Sequence, residues 1–207
     1  YYLASPLSYI VALFPEAYIT EALLTMFVLK AGLCGLTFGI YLHTKKYASP
    51  TEAVIFSTLY ALCSFAVVMQ HNTMWIDGLM LLPLLILGLE RLIKHRKPIL
   101  YTVTLAVILL ANYYIGYMIC IFTAMYFFYY FLSKTGEEIN PRGEKHYFWA
   151  SLLRVGVFTA IALAIAALLL LPAYYSLTFG KTDFSTGDFS FRTKFDIIDF
   201  DLGVKIT

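Results

Sequence analysis

The chain has 207 residues, of which 60% are hydrophobic and 14% are charged, and its formal net charge is +2. A soluble domain averages about 45–50% apolar and about 25% charged residues. The composition therefore excludes an ordinary soluble domain, and the small net charge gives no reason to expect a nucleic-acid partner. It predicts an all-α, multi-pass bundle of transmembrane helices in the cell membrane.

The predicted elements begin with the apolar stretch Leu3–Phe14, which is shorter than the roughly 20 residues that a spanning helix needs and ends at Pro15. We expect an interfacial or re-entrant helix there. About six longer apolar stretches follow and are predicted to span the bilayer. They are Ala17–Tyr41, Glu52–Met69, Gly78–Ile93, Ile99–Ala111, Ile115–Leu132 and Leu152–Leu171. The fourth stretch is short and runs straight into the fifth, which predicts a tight helical hairpin.

Basic residues fall on alternate connections. Most of the cations lie near the ends of the first, third and fifth stretches or between these and the start of the next stretch: Lys45, Lys46, Arg91, Lys94, Arg96, Lys97, Lys134, Arg142, Lys145 and Arg154. The connections Gln70–Asp77 and Asn112–Tyr114 contain no Lys or Arg. Because cytoplasmic loops are enriched in Lys and Arg, these two connections are predicted to face outside. The predicted organisation is a transmembrane domain, residues 1–177, and an external polar segment, residues 178–207.

The connection between the second and third stretches carries the densest chemistry. His71, Asn72, Trp75 and Asp77 stand close together there. An indole stacks on sugar rings and a carboxylate or amide binds hydroxyls, so these residues are candidates for binding a polar ligand. The alternative is a capped helix start with Trp75 as an interfacial anchor. Metal-ligand spacings of the H-E-x-x-H type are absent from the sequence, so no metal site is expected.

The hairpin tip carries a second polar group, made of Asn112, Tyr113, Tyr114 and Tyr117. An aromatic belt at the membrane surface is the ordinary explanation of such tyrosines. A tip this tight must also line or pack on something, which makes the four residues further candidates for substrate binding.

Lys30 lies inside the first stretch, and an intramembrane lysine marks a functional hypothesis by default. Gly35 and Gly39 follow it in a G-x-x-x-G arrangement that permits close helix approach. Lys30 is a candidate for holding a lipid phosphate. The alternative is a buried ion pair with a carboxylate elsewhere in the chain. Glu90 and Lys94, four residues apart, predict an ordinary pair on a helix surface.

Four blocks of the sequence resemble the bacterial YfhO membrane-protein family. They are Tyr1–Leu7, His71–Gly78, Leu82–Leu84 and Asn112–Met118, in that order over nearly the whole chain. The family is similar to GT-C glycosyltransferases. The resemblance implies an internal fragment that lacks the first span and the first outer loop, where such enzymes usually carry the catalytic Asp.

The resemblance also implies a function. Members of the YfhO family are implicated in moving a sugar from undecaprenyl phosphate to an extracellular cell-wall polymer such as lipoteichoic acid. The expected partners are therefore the bilayer, a lipid-linked sugar donor and a cell-wall acceptor, with no certain cofactor. The catalytic residue is expected upstream, and the residues named above are expected to bind donor or substrate. A multi-pass transporter or flippase for a lipid-linked or polar substrate is the alternative.

Overall fold

The computed structural model describes residues 5–133 and 146–181, and every regular element in these ranges is helical. Seven α-helices are described: α1 Ile19–Lys45, α2 Pro50–Ala61, α3 Ser64–Val68, α4 Thr73–His95, α5 Ile99–Ala111, α6 Tyr113–Ser133 and α7 Tyr147–Lys181. Three 3-10 helices accompany them: Pro6–Leu13, Glu16–Tyr18 and Met69–His71. The all-α prediction is confirmed. Most of the predicted external segment 178–207 lies outside the described residues.

Four helical segments are long and apolar enough to cross a membrane by length and composition. They are Glu16–Lys45, Pro50–His71, Tyr113–Ser133 and Tyr147–Pro172. The fourth predicted stretch is the shorter apolar helix α5, with 13 residues. The third predicted stretch is α4, a 23-residue helix that carries four charged side chains.

Helix α4 is central in the first of two compact units into which the chain divides, residues 1–168 and 169–207. It packs against α1, α5 and α6. Gly88 allows the contact with α5, because a Cβ at this position would lie 2.7 Å from the backbone nitrogen of Tyr101. Gly78 faces Ile115 of α6 in the same way. Helix neighbours therefore surround Asp77 and Glu90, as expected for ionisable residues at membrane depth, whereas Arg91 and Lys94 of the same helix are exposed.

Helices α1 and α2 pack through small residues. A Cβ at Gly35 would lie 3.3 Å from the carbonyl oxygen of Ser57, and one at Gly39 would lie 3.1 Å from its hydroxyl. The G-x-x-x-G arrangement thus brings the two helices together, as predicted. At Gly32 no atom lies within 4 Å of an added Cβ, so the interface opens there.

The second predicted span is not one continuous helix. Helix α2 ends at Ala61, and Cys63 has an extended backbone (ψ 156°) before α3 begins. No glycine or proline lies between Pro50 and Gly78, so no local signal indicated this break. Ala61 is buried in a cluster with Cys34 of α1 and Ile76 of α4, which fixes the end of α2 by tertiary packing.

Candidate functional site

Lys30 forms a buried ion pair with Asp77. Its side chain is 0% exposed, and its Nζ lies 2.7 Å from Oδ1 of Asp77. The same Nζ donates to the carbonyl oxygen of Thr73 at 2.9 Å and to the hydroxyl of Ser5 at 3.5 Å. The three N–H groups of the ammonium are therefore all used. The geometry matches the alternative raised for Lys30, with Asp77 as the carboxylate, and its phosphate-binding role stays a prediction.

Asp77 does not cap its helix. Helix α4 begins at Thr73 after the N-cap Asn72, and its first turn contains no acidic residue. Asp77 lies one turn further in and is 2% exposed. Its Oδ2 is buried and has no hydrogen-bond partner among the residues that the structure describes. The capped-helix explanation of this carboxylate is therefore wrong, because packing against α1 places it inside the bundle.

The rest of the predicted loop lies at the surface above this pair. His71 ends a 3-10 turn and is exposed, while Asn72 and Trp75 are half-buried. The ring of Trp75 meets that of Tyr114, with centroids 6.4 Å apart and planes inclined by 37°. This contact joins the start of α4 to the start of α6. We call the region from His71 to Asp77 together with Asn112 to Tyr117 the polar end of the bundle.

Asn112 has a structural task at the hairpin tip. Its Oδ1 accepts hydrogen bonds from the backbone N–H groups of Tyr114 at 3.0 Å and Ile115 at 3.2 Å. This satisfies two of the free N–H groups at the start of α6, as an N-cap asparagine does. Tyr113 and Tyr117 point to the surface, Tyr117 with 65% of its area exposed. The structure thus brings Tyr114 to the predicted loop, while Tyr117 lies on the outer face of α6.

Sequence reasoning missed a second ion pair, whose acid is buried and whose base is partly exposed. Glu90 is buried and pairs with Lys45 at the end of α1, while the hydroxyl of Tyr126 donates to its Oε1 at 2.6 Å. The predicted surface pair with Lys94 is wrong, because Glu90 faces α1 and α6 and not solvent. The apolar residues one helical turn before and after Glu90, Leu87 and Ile93, were the one available signal that its face is buried.

An apolar groove of about 740 Å³ runs between α1 and α2. Gly32, Gly35 and Gly39 line one wall, and Ala53, Ser57 and Ala61 line the other. Leu62, at the break between α2 and α3, borders one end, and His43 borders the other. Among the residues that the structure describes, no group of three or more His, Cys, Asp or Glu side chains is placed to hold a metal ion.

Comparison with known proteins decides the family. The family described as bacterial membrane protein YfhO matches residues 1–202. The chain belongs to the YfhO family. It is 30% identical over 132 residues to "Uncharacterized protein YfhO" of Bacillus subtilis (strain 168). That match covers 61% of this chain but only 14% of the Bacillus protein. No solved structure matches the chain.

Membership of the YfhO family establishes a membrane protein and agrees with the four helical segments that are long and apolar enough to cross a membrane. The matched range includes the whole polar end and both ion pairs. Because the chain spans about one seventh of the length of the Bacillus YfhO protein, the activity of the full-length protein is a matter for proposal.

Proposed function

We propose that the full-length protein is a membrane glycosyltransferase. It moves a sugar from a polyprenyl-phosphate donor to an extracellular cell-wall polymer such as lipoteichoic acid. The observation that carries the proposal is the contact of Trp75 with Tyr114 at the polar end. An aromatic surface bordered by the exposed His71 suits a sugar ring and its hydroxyls. By the distribution of Lys and Arg, this end faces outside.

The outward orientation explains the choice of donor. Nucleotide sugars are cytosolic, so chemistry at the outer surface needs a sugar carried by a lipid. The apolar groove between α1 and α2 has the composition to take part of a polyprenyl chain. The base that deprotonates the acceptor hydroxyl is expected to be a carboxylate upstream of Tyr1. Trp75, Tyr114, His71 and Asn72 would then hold the sugar.

Lys30 can take part in donor binding only if its present contacts are released. All its N–H groups are engaged by Asp77, Thr73 and Ser5, so it reaches a lipid phosphate only when that arrangement opens. Its role as a donor-binding residue is therefore separable from its role as a structural partner of Asp77.

A flippase or transporter is the second candidate, and one observation favours it. The second span is broken at Leu62 and Cys63, beside the open groove. Discontinuous helices near the membrane midplane are common in transporters. The alternative predicts movement of the lipid-linked sugar between leaflets without transfer to a polymer.

Sugar transfer in membranes tests the proposal. Trp75→Ala in the full-length protein should lower transfer of labelled sugar from undecaprenyl phosphate roughly tenfold, the effect of losing about 1.4 kcal/mol of contact energy. Trp75→Phe should retain most of the rate, because a ring still faces Tyr114. Trp149→Ala is the matched control. Trp149 is 66% exposed and lies at the start of α7, next to the connection that is rich in Lys and Arg and away from the polar end.

Rates are compared at equal protein level. If Trp75→Ala transfers sugar at the wild-type rate, the aromatic surface of Trp75 and Tyr114 is not part of the sugar-binding site. Lipid scrambling in proteoliposomes by a wild-type protein that transfers no sugar would establish the flippase in place of the transferase.

A further inference from the structure

A second cavity, of about 350 Å³, lies at the opposite end of the bundle, where α1 and α4 finish. We call this the basic end. The lining residues come from α1, α4 and α6: Thr44, Lys45, Leu87, Glu90, Arg91, Lys94, His95 and Tyr130. Neither the family resemblance nor the proposed transfer reaction uses this cavity.

The charges around the cavity do not balance. Lys45, Arg91 and Lys94 contribute three positive charges and Glu90 one negative charge, which leaves a net charge of +2 with the imidazole neutral. Glu90 is already engaged by Lys45 and by the hydroxyl of Tyr126. Arg91 and Lys94 are exposed to solvent and have no ion pair within the described part of the chain. The cavity therefore presents an arginine and a lysine whose charges are not compensated.

Cations in the last turn of a helix usually offset the negative end of its dipole. That explanation is weakened here because backbone N–H groups already cap both helix ends. Lys46 N–H donates to the His43 carbonyl at 3.2 Å, and Arg96 N–H donates to that of Leu92 at 3.1 Å. Both capping residues have positive φ, 55° and 56°, where glycine is the usual residue. The carbonyls of His43 and Leu92 are thus satisfied without the side chains of Arg91 and Lys94.

We propose that this cavity binds a phosphate-bearing anion. Within a membrane the source is the phosphodiester headgroup of an anionic phospholipid such as phosphatidylglycerol. Arg91 presents a planar fork that matches phosphate oxygens, Lys94 adds a point charge, and the Thr44 hydroxyl can donate a hydrogen bond. Basic pockets between helices on the cytoplasmic side of membranes take such headgroups. The volume accommodates a headgroup and leaves the acyl chains outside.

The test uses the purified full-length protein and native mass spectrometry with added phosphatidylglycerol or zwitterionic phosphatidylcholine. A second arm titrates inorganic phosphate in detergent by calorimetry. The Arg91→Gln/Lys94→Gln variant removes the two uncompensated cations. The Lys46→Gln/Lys97→Gln variant is the matched control, because it removes two cations from the same end but outside the cavity lining.

We expect phosphatidylglycerol to bind about 30-fold more weakly to Arg91→Gln/Lys94→Gln, from two cations lost at the value typical of a membrane surface. The control should change by less than about threefold. The charge-preserving Arg91→Lys/Lys94→Arg variant should keep preferential binding, which guards against a loss due to misfolding. A different outcome is that inorganic phosphate binding depends on Arg91 and Lys94 while phosphatidylglycerol is not preferred over phosphatidylcholine. That result would support the anion site with a soluble phosphate as its ligand. Equal losses in the cavity variant and the control, or none in either, would overturn the proposal.

Discussion

The Lys30–Asp77 pair gives the sharpest prediction about stability. At 2.7 Å and an effective dielectric constant of 20, the attraction between the two charges is about 6 kcal/mol. Desolvation of both groups offsets much of it, so the pair contributes little net stability compared with well-packed apolar residues. Lys30→Met leaves the carboxylate of Asp77 buried without its partner. Such single losses cost about 3–5 kcal/mol.

The double variant Lys30→Met/Asp77→Leu removes both charges. We expect its free energy of unfolding to equal that of the wild type or to exceed it by up to about 4 kcal/mol. The single variant Lys30→Met should be much less stable than either. Thermal unfolding of the purified protein, followed by size-exclusion chromatography after heating, measures both. A double variant as unstable as Lys30→Met, or a single variant as stable as the wild type, would refute the reasoning.

The same variants separate structure from donor binding. If Lys30 only holds α1 to α4, the double variant regains both stability and sugar transfer. If Lys30 or Asp77 also binds the donor, the double variant regains stability alone. Activity compared at equal amounts of folded protein distinguishes the two roles.

Two further predictions concern packing and orientation. Gly88→Ala should destabilise the protein by about 1–3 kcal/mol, since the new methyl group meets the backbone of α5, whereas Gly32→Ala should be neutral or stabilise by up to about 1 kcal/mol; similar melting temperatures for the two variants would contradict this. A cysteine at position His71 should react with an impermeant maleimide in intact cells, and one at Lys97 only after permeabilisation. The reverse pattern would invert the proposed orientation.

Hydropathy located the helices well, because length and apolar content are properties of a local stretch. The predicted stretch Ile99–Ala111 coincides with α5, and Ile115–Leu132 differs from α6 by no more than two residues at either end. The predicted hairpin is present, with Asn112 as the cap that begins α6. Cap chemistry is also local, yet sequence reasoning took Asn112 only as a binding candidate and offered a cap at Asp77, which lies one turn inside α4.

Hydropathy and helical spacing could not identify contact partners that are distant in sequence. Lys30 was singled out as a cation inside a predicted span and is fully buried in α1, but its carboxylate lies 47 residues away on another helix. Glu90 was assigned to Lys94, four residues along the same helix, because spacing alone cannot identify a partner on α1. The break after Ala61 has the same origin, since it depends on packing against α1 and α4 and not on a glycine or proline.

The two ion pairs together define how α1 and α4 are joined. Both bases lie on α1 and both acids on α4, and the order along each helix is the same. The bases are 15 residues apart and the acids 13, or about 22 and 20 Å at 1.5 Å per residue. Two parallel helices therefore meet at matched heights, and a shift in register would break both pairs and leave Lys30, Asp77 and Glu90 buried without their partners.

Helix α2 and the short α3 are held differently. Small residues pack α2 on α1, and the hydroxyl of Tyr60 donates to the Leu79 carbonyl at 2.7 Å. No ion pair in the described part of the chain ties α2 or α3 to another helix. The break in this span and the open groove lie on the same side of α1. Among the described residues, parting α1 from α2 therefore separates no ion pair, whereas parting α1 from α4 would break both Lys30–Asp77 and Lys45–Glu90.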